Sequence, residues 1–301
     1  MTGQLIWLIT GCSSGIGEAL VRAILAKGDK VIATARPKNG LSGTERLSTL
    51  AHVGAAVLEL DVTFSQERLM EIAKEAWEIY GHVDVVMNNA GYMDAGTTEE
   101  YKYERPRNTE QLTNIIQTHV FGPLNLSRAF LPPMRNRMSG TLLFAGAASP
   151  YTTGPVASGY AGSKALLESM VQKMACEVEP FGVRCCVLIF GHYRTNHLSS
   201  ENCVCSGRKR IPEYEELDIL VQKIIKEGHG TQIGDPVKAA RFIVDAVRGE
   251  GLCLGKELPM RLPVGSDAFV EVRNHCQEVL KICDEWEEIA SKTSFLEGEG
   301  S

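Results

Sequence analysis

No part of this 301-residue chain approaches about 18 uninterrupted apolar residues, so nothing in it reads as a helix that crosses a bilayer. Basic charge is also short. The chain has 31 Lys and Arg against 37 Asp and Glu, a formal charge of −6, whereas a nucleic-acid surface needs a basic stripe. Its nine cysteines include no pairs at zinc-binding spacing. Cys185-Cys186 lies inside an apolar run, and Cys203-Val204-Cys205 is too tight and too isolated to hold a metal. A basic region leading into an apolar stretch and a cleavage site is missing, because residues 5–10 run straight into a glycine turn. The expectation is a cytoplasmic protein with reduced thiols that binds no metal, nucleic acid or membrane. No linker, repeat or low-complexity tract breaks the chain, which makes 1–301 one expected domain.

Short apolar runs alternate with helical patterns. Strands are expected at 5–9, 30–35, 55–60, 83–87, 141–145 and 183–190, with a last one at 258–262. Helices are expected at 16–27, 65–80, 111–138 and 160–178, from about 212, at 235–247 and at 267–289, with a frayed tail to 301. Continuously apolar strands separated by helices imply a parallel sheet covered on both faces. Right-handed crossovers then give a doubly wound, Rossmann-like α/β fold. Leu167, Met170, Val171, Met174 and Val178 recur at helical spacing and form a core-facing stripe. The 160–178 helix therefore begins at the carboxyl ends of the strands, where ligands bind in such folds.

Two clusters carry chemistry. Gly11-x-x-x-Gly15-x-Gly17 lies between a strand and a helix, where backbone can approach a pyrophosphate and helix N–H groups can bind it. Tyr160 and Lys164 are four residues apart on one helix face, and an ammonium beside a phenol favours the phenolate. At the end of the second strand, Ala35 stands where a carboxylate would accept from a ribose 2′-OH. Arg36 follows it and suits a 2′-phosphate. NADPH is the expected cofactor.

In spacing, this glycine turn resembles that of the short-chain dehydrogenase/reductase family. Three further matches follow in order: Asp61-Val62, Asn88-Asn89-Ala90-Gly91 and Tyr160-x-x-x-Lys164. The resemblance covers residues 4–195. It implies cofactor contacts from Gly11, Ser13, Ser14, Gly15, Ile16, Gly17, Arg36, Asp61, Val62, Asn89, Ala90, Gly91, Tyr160, Lys164 and Thr195. It also implies that Tyr160 is the acid, tuned by Lys164, and that residues 197–230 form a substrate lid ahead of a closing helix and tail at about 266–301.

The sequence departs from the family pattern at three places. Ala147 replaces the serine that holds the substrate oxygen, leaving Ser149 two residues on as the nearest hydroxyl. His119 replaces the asparagine that anchors a relay water. It is either a satisfied core histidine or a catalytic group that binds that water or donates a proton. Phe190 replaces a proline beside the nicotinamide. Losing one oxyanion donor costs on the order of 10²–10³ in rate, whereas an iminium substrate needs no such donor. The chain is similar to fungal secondary-metabolism members of the family. In its eroded site it resembles reductases of fungal indole-alkaloid pathways that also guide a cycloaddition.

The main expectation is hydride transfer from NADPH to a C=O or C=N group of a bulky, apolar small molecule. The alternatives are a non-redox cyclisation or isomerisation on the same fold and a cofactor-binding regulator without turnover. A homo-oligomer is compatible with all three.

Overall fold

The structure is a computed structural model that describes residues 3–100, 110–199, 202–204 and 211–295. Its centre is a seven-stranded sheet. The strands in chain order are β1 (Ile6–Ile9), β2 (Lys30–Ala35), β3 (Ala56–Glu59), β4 (Val85–Asn88), β6 (Gly140–Ala147), β7 (Val183–Phe190) and β9 (Arg261–Val264). The number β5 is kept for Met93–Asp94 and β8 for Cys203–Val204, which pair with each other outside the sheet. Spatial order is β3-β2-β1-β4-β6-β7-β9, and every pair is parallel. The order reverses between β1 and β4, which opens a crevice above their carboxyl ends.

The two faces follow from strand alternation. Ile6 and Leu8 join Phe130, Phe144 and Val171 in one core. Trp7 and Ile9 point the other way and pack with Leu20, Ile24 and Ile243. Helix α1 (Gly15–Ala26), the short α2 (Ser48–His52) and α8 (Pro236–Arg248) cover the second face. Helices α3 (Gln66–Tyr80), α5 (Gly122–Asn136) and α6 (Ser158–Val178) cover the first. The remaining helices are α4 (Glu110–Ile116), α7 (Glu215–Gly228) and α9 (Ser266–Ala290).

Two expectations need correction. The single helix expected at 111–138 is α4, a π-helical turn at Gln117–Phe121, and α5. Gly122 lets this helix pass over the end of β3, since a Cβ there would lie 2.7 Å from the Val62 carbonyl oxygen and 3.1 Å from that of Gln117. The last strand starts at Arg261 rather than 258, because its register is set by pairing with Val187–Phe190. The expected lid is described only in part: a 3-10 turn at Asn196–Leu198, β8 and α7. Residues 200–201 and 205–210 of that stretch and the final residues 296–301 lie outside the described residues.

Candidate active site

The carboxyl ends of β1, β2, β4, β6 and β7 frame a cleft of about 770 Å³. At its floor, Gly11 and Gly15 have φ of 71° and 64°, the left-handed region that favours glycine. A Cβ on Gly11 would lie 2.9 Å from the Cα of Ala90. Ser13, Ser14 and Ile16 line the cleft beside these glycines. Gly17 does not line it. Gly17 lets α1 approach the turn, where a Cβ would meet the Gly11 oxygen at 2.4 Å. The neighbouring Cys12 is buried, and its thiol is pushed up to about 12 by desolvation, so it is no nucleophile.

Asn89 ties the end of β4 to this turn. Its side-chain amide donates to the carbonyls of Thr10 at 2.8 Å and Gly11 at 3.2 Å. The Thr10 hydroxyl accepts from the backbone N–H groups of Asn89 and Ala90. Asn89 thus shapes the cradle with its side-chain N–H groups. Ala90, Gly91, Asp61 and Val62 line the same cleft, and Asp61 is steadied by two bonds from Thr63.

Arg36 lines the far end as expected, but it is not alone there. Lys38 and Arg46 line the same wall. Arg46 donates to the Arg36 carbonyl at 2.7 Å and to the Ser13 hydroxyl at 2.9 Å. It sits on a 3-10 turn, Glu45–Leu47, that Ser42 and Glu45 brace through mutual hydrogen bonds. Nothing in the local sequence marks Arg46. Only the fold of the loop after β2 brings it back to Ser13 of the glycine turn, 33 residues earlier in the chain. Glu59, the carboxylate at the end of β3, is turned aside to accept from the Gly43 N–H at 2.7 Å. Arg36, Lys38 and Arg46 thus bring three cationic side chains to the cleft that Asp61 also lines.

At the other end, Tyr160 and Lys164 lie on the first turns of α6. Lys164 is buried. Its ammonium donates to the Ala145 carbonyl at 2.7 Å and lies 5.7 Å from the Tyr160 ring centre. Burial brings Lys164 down to about 8 and pushes the Tyr160 phenol upward. The expectation that the ammonium lowers the phenol is therefore not met, because desolvation outweighs the attraction. Thr195 stands over Gly15, whose Cβ would lie 3.3 Å from that of Thr195. Phe190 also lines the cleft and packs edge-on against Tyr193.

His119 lies behind the cleft wall, 1% exposed on the π-helical turn. Its Nε2 accepts from the Tyr92 N–H at 3.1 Å. Its Nδ1 is 2.9 Å from the Ser163 hydroxyl, which itself donates to the Tyr160 carbonyl. That hydroxyl's proton is spent, so Nδ1–H is the donor and both ring nitrogens are occupied. Burial, then the Lys164 and His197 charges, hold His119 well below the usual histidine range. The core-histidine alternative describes this geometry. Missed in the sequence was His197, whose ring lies 5.8 Å from that of Tyr160. Burial and the Lys164 charge bring it down to about 4.

Ala147 lines the cleft, as does Ser149, which opens a 3-10 turn to Tyr151. The Ser149 hydroxyl is buried without a partner among the described residues. Tyr151 anchors that turn by donating to Glu168 at 2.5 Å, and Arg261 pairs with the same carboxylate. Among the described residues no group of three or more His, Cys, Asp or Glu could hold a metal, and no helix is long and apolar enough to cross a membrane.

A seven-stranded doubly wound sheet with a glycine cradle at its switch point and a Tyr-Lys pair at the cleft's other end defines a nucleotide-dependent oxidoreductase class. The family model for short chain dehydrogenases matches residues 6–203, and the chain belongs to that family. It is 31% identical over 292 residues to oxidoreductase BOA17 of Botryotinia fuckeliana, covering 95% of this chain and 97% of that protein. A short-chain dehydrogenase structure from Streptomyces avermitilis is 34% identical, with a TM-score of 0.82 over 97% of this chain and 100% of the other. An alcohol dehydrogenase from Thermococcus sibiricus, complexed with 5-hydroxy-NADP, shares the fold at 23% identity and a TM-score of 0.63, covering 87% and 96% of the two chains.

Proposed function

We propose that this protein is an NADPH-dependent reductase of a C=O or C=N group in a small molecule of secondary metabolism. The observation that carries the reading is the arrangement of one cleft. Arg36, Lys38 and Arg46 stand at its adenosine end and Tyr160 at its chemical end. When bound, a reduced nicotinamide supplies the hydride.

The chain's own residues supply the rest. Gly11 and Gly15 admit the pyrophosphate against the N-terminus of α1, where unpaired N–H groups point. Tyr160 holds the proton for the developing alkoxide, and its raised phenol keeps that proton on oxygen at neutral pH. Lys164, fixed through Ala145, places positive charge beneath it. His119 positions α6 through Ser163. Ser149 takes the place of the hydroxyl missing at Ala147 once its side chain, whose oxygen is buried and without a partner among the described residues, turns into the cleft.

A purely apolar substrate fits the described lining poorly. Gln111, Asn114, Gln117, Asn196 and Asn202 lie beside Tyr92, Met93 and Leu198. A large molecule with several hydrogen-bonding groups is the better match. Similarity to oxidoreductase BOA17 of Botryotinia fuckeliana supports a redox reaction over binding without turnover.

The test is to follow loss of the reduced nicotinamide absorbance with a panel of ketones, diketones and cyclic iminiums. Turnover with NADPH that Tyr160→Phe abolishes, with nucleotide binding intact, is expected. Conversion without nicotinamide consumption would favour the non-redox alternative.

A further inference from the structure

Four histidines place a ring nitrogen on a protein partner: His52 on the Ser48 carbonyl, His82 on Asp84, His119 on Tyr92 and Ser163, and His192 on Asp267. His197 does not. Its ring lines the cleft, 5.8 Å from the Tyr160 ring centre and tilted to it by 57°. Among the described residues neither of its ring nitrogens makes a hydrogen bond. Burial, then the charges of Lys164 and His192, bring the ring down to about 4, so it is neutral at physiological pH. A neutral imidazole offers one N–H and one lone pair. Leaving such groups unmet in a half-buried site costs free energy, and a bound molecule can meet them.

The ring is not needed to hold its own turn. Asn196–Leu198 is a 3-10 turn capped by Thr195, whose hydroxyl accepts from the His197 backbone N–H at 3.3 Å. The Asn196 carbonyl accepts from the Ser199 N–H at 3.1 Å, the Ser199 hydroxyl at 2.7 Å and the Asn202 amide at 2.9 Å. Just upstream, the Arg194 guanidinium donates to the Gln232 carbonyl. Backbone and neighbouring side chains thus fix the loop while the imidazole is left facing the cleft. A recognition group held in this way loses little freedom when it binds.

We propose that His197 selects the substrate by binding a second, uncharged oxygen that lies one or two carbons from the carbonyl reduced at Tyr160. The inference rests on the carbonyl-reduction reading above and adds the substrate class, hydroxyketones and diketones. With the two ring centres 5.8 Å apart, one small fragment touches both rings and must carry its oxygens close together. A hydroxyl suits the imidazole best. It accepts from the N–H or donates to the lone pair, whichever tautomer is present, whereas a carboxylate meets only the N–H. Ser149 is assigned to the reacting oxygen, so the two contacts do not compete.

The experiment compares cyclohexanone with 2-hydroxycyclohexanone and 3-hydroxycyclohexanone, using the full chain and NADPH at neutral pH. kcat/KM should favour a hydroxyketone by about 10- to 100-fold, the effect of pairing a buried polar group that is otherwise unmet. His197→Phe keeps a ring against Tyr160 and should bring that ratio to roughly one. His197→Gln, which keeps a donor and an acceptor, should retain most of it. A ratio near one in the parent, or one unchanged in His197→Phe, overturns the proposal. A second readout needs no turnover. In protein labelled with 15N in its histidine rings and saturated with NADP+, a hydroxyketone should shift the ring resonances that His197→Phe lacks, and cyclohexanone should not. Equal shifts with both, or no shift beyond that caused by NADP+ alone, overturn it. If no ketone is reduced, the reduction reading fails, while the ring shift still decides whether His197 binds the second oxygen.

Discussion

The guanidinium of Arg46 donates to the hydroxyl of Ser13 across 2.9 Å, joining the loop after β2 to the glycine turn. The same guanidinium holds the Arg36 carbonyl at 2.7 Å. The two arginines are therefore one unit at that end of the cleft. Charge-assisted hydrogen bonds contribute about 1.5–3 kcal/mol each, so Arg46→Ala should weaken NADPH binding by roughly 10- to 100-fold. NADH, which lacks the 2′-phosphate, should be affected only a few-fold. Fluorescence titration of both nucleotides checks this, and equal losses would show that Arg46 merely shapes the turn.

Lys164 should be costly to the fold. Burial takes it from its ordinary value to about 8. At neutral pH the folded protein thus carries a desolvated ammonium, and replacing it by Met should stabilise by about 2 kcal/mol after the lost bond to Ala145 is allowed for. The folded state binds fewer protons than the unfolded state from about pH 8 up to the ordinary lysine range, so wild-type stability rises with pH there. The advantage of Lys164→Met should shrink over the same range. Urea midpoints at pH 7 and 10 measure it, while turnover should vanish at both.

Acid should destabilise the protein through His119 and His197. Both are held below the ordinary histidine value in the folded state. The unfolded chain therefore takes up protons first as pH falls through 6.5, and stability contributed by the neutral rings is lost from there towards about 4. His119→Phe should flatten this slope. It should also cost about 1–3 kcal/mol at pH 7, because Ser163 and the Tyr92 N–H lose their partner. Unfolding midpoints from pH 7 to pH 5 decide. An acid-side inflection in kcat/KM below the usual histidine range that disappears in the variant would instead mark His119 as a proton carrier.

Ser149 and Ala147 should prove exchangeable. Ser149→Ala is expected to lower kcat by about 10²-fold, the cost of one oxyanion donor. Adding Ala147→Ser to that variant should recover most of the loss. Ala147→Ser alone should change little. Steady-state kinetics on a ketone probe separate these outcomes, and an unaffected Ser149→Ala would leave the oxygen-holding role empty.

The architecture and most of the cleft were legible in the sequence because they rest on contiguous residues. Apolar runs such as Leu5–Ile9 and Val183–Phe190, set between helical patterns, read as buried strands. The glycine spacing 11-15-17 dictates a tight turn, and a four-residue gap puts Tyr160 and Lys164 on one helical face. What the chain could not disclose depends on which distant side chains meet. The direction of the Tyr160 shift was misread because burial is a property of the whole cleft. His119 held two readings open until Tyr92 and Ser163 were seen to fill both its nitrogens. Arg46 carries no signal of its own, and His197 meets Tyr160 only because the turn after β7 brings it there. Local patterning and backbone sterics thus determined the fold and the pairing of Tyr160 with Lys164. Desolvation, hydrogen-bond partnering and the reach of each element exist only once the chain is packed, and they decided the protonation states, the cation cluster and the unpartnered imidazole.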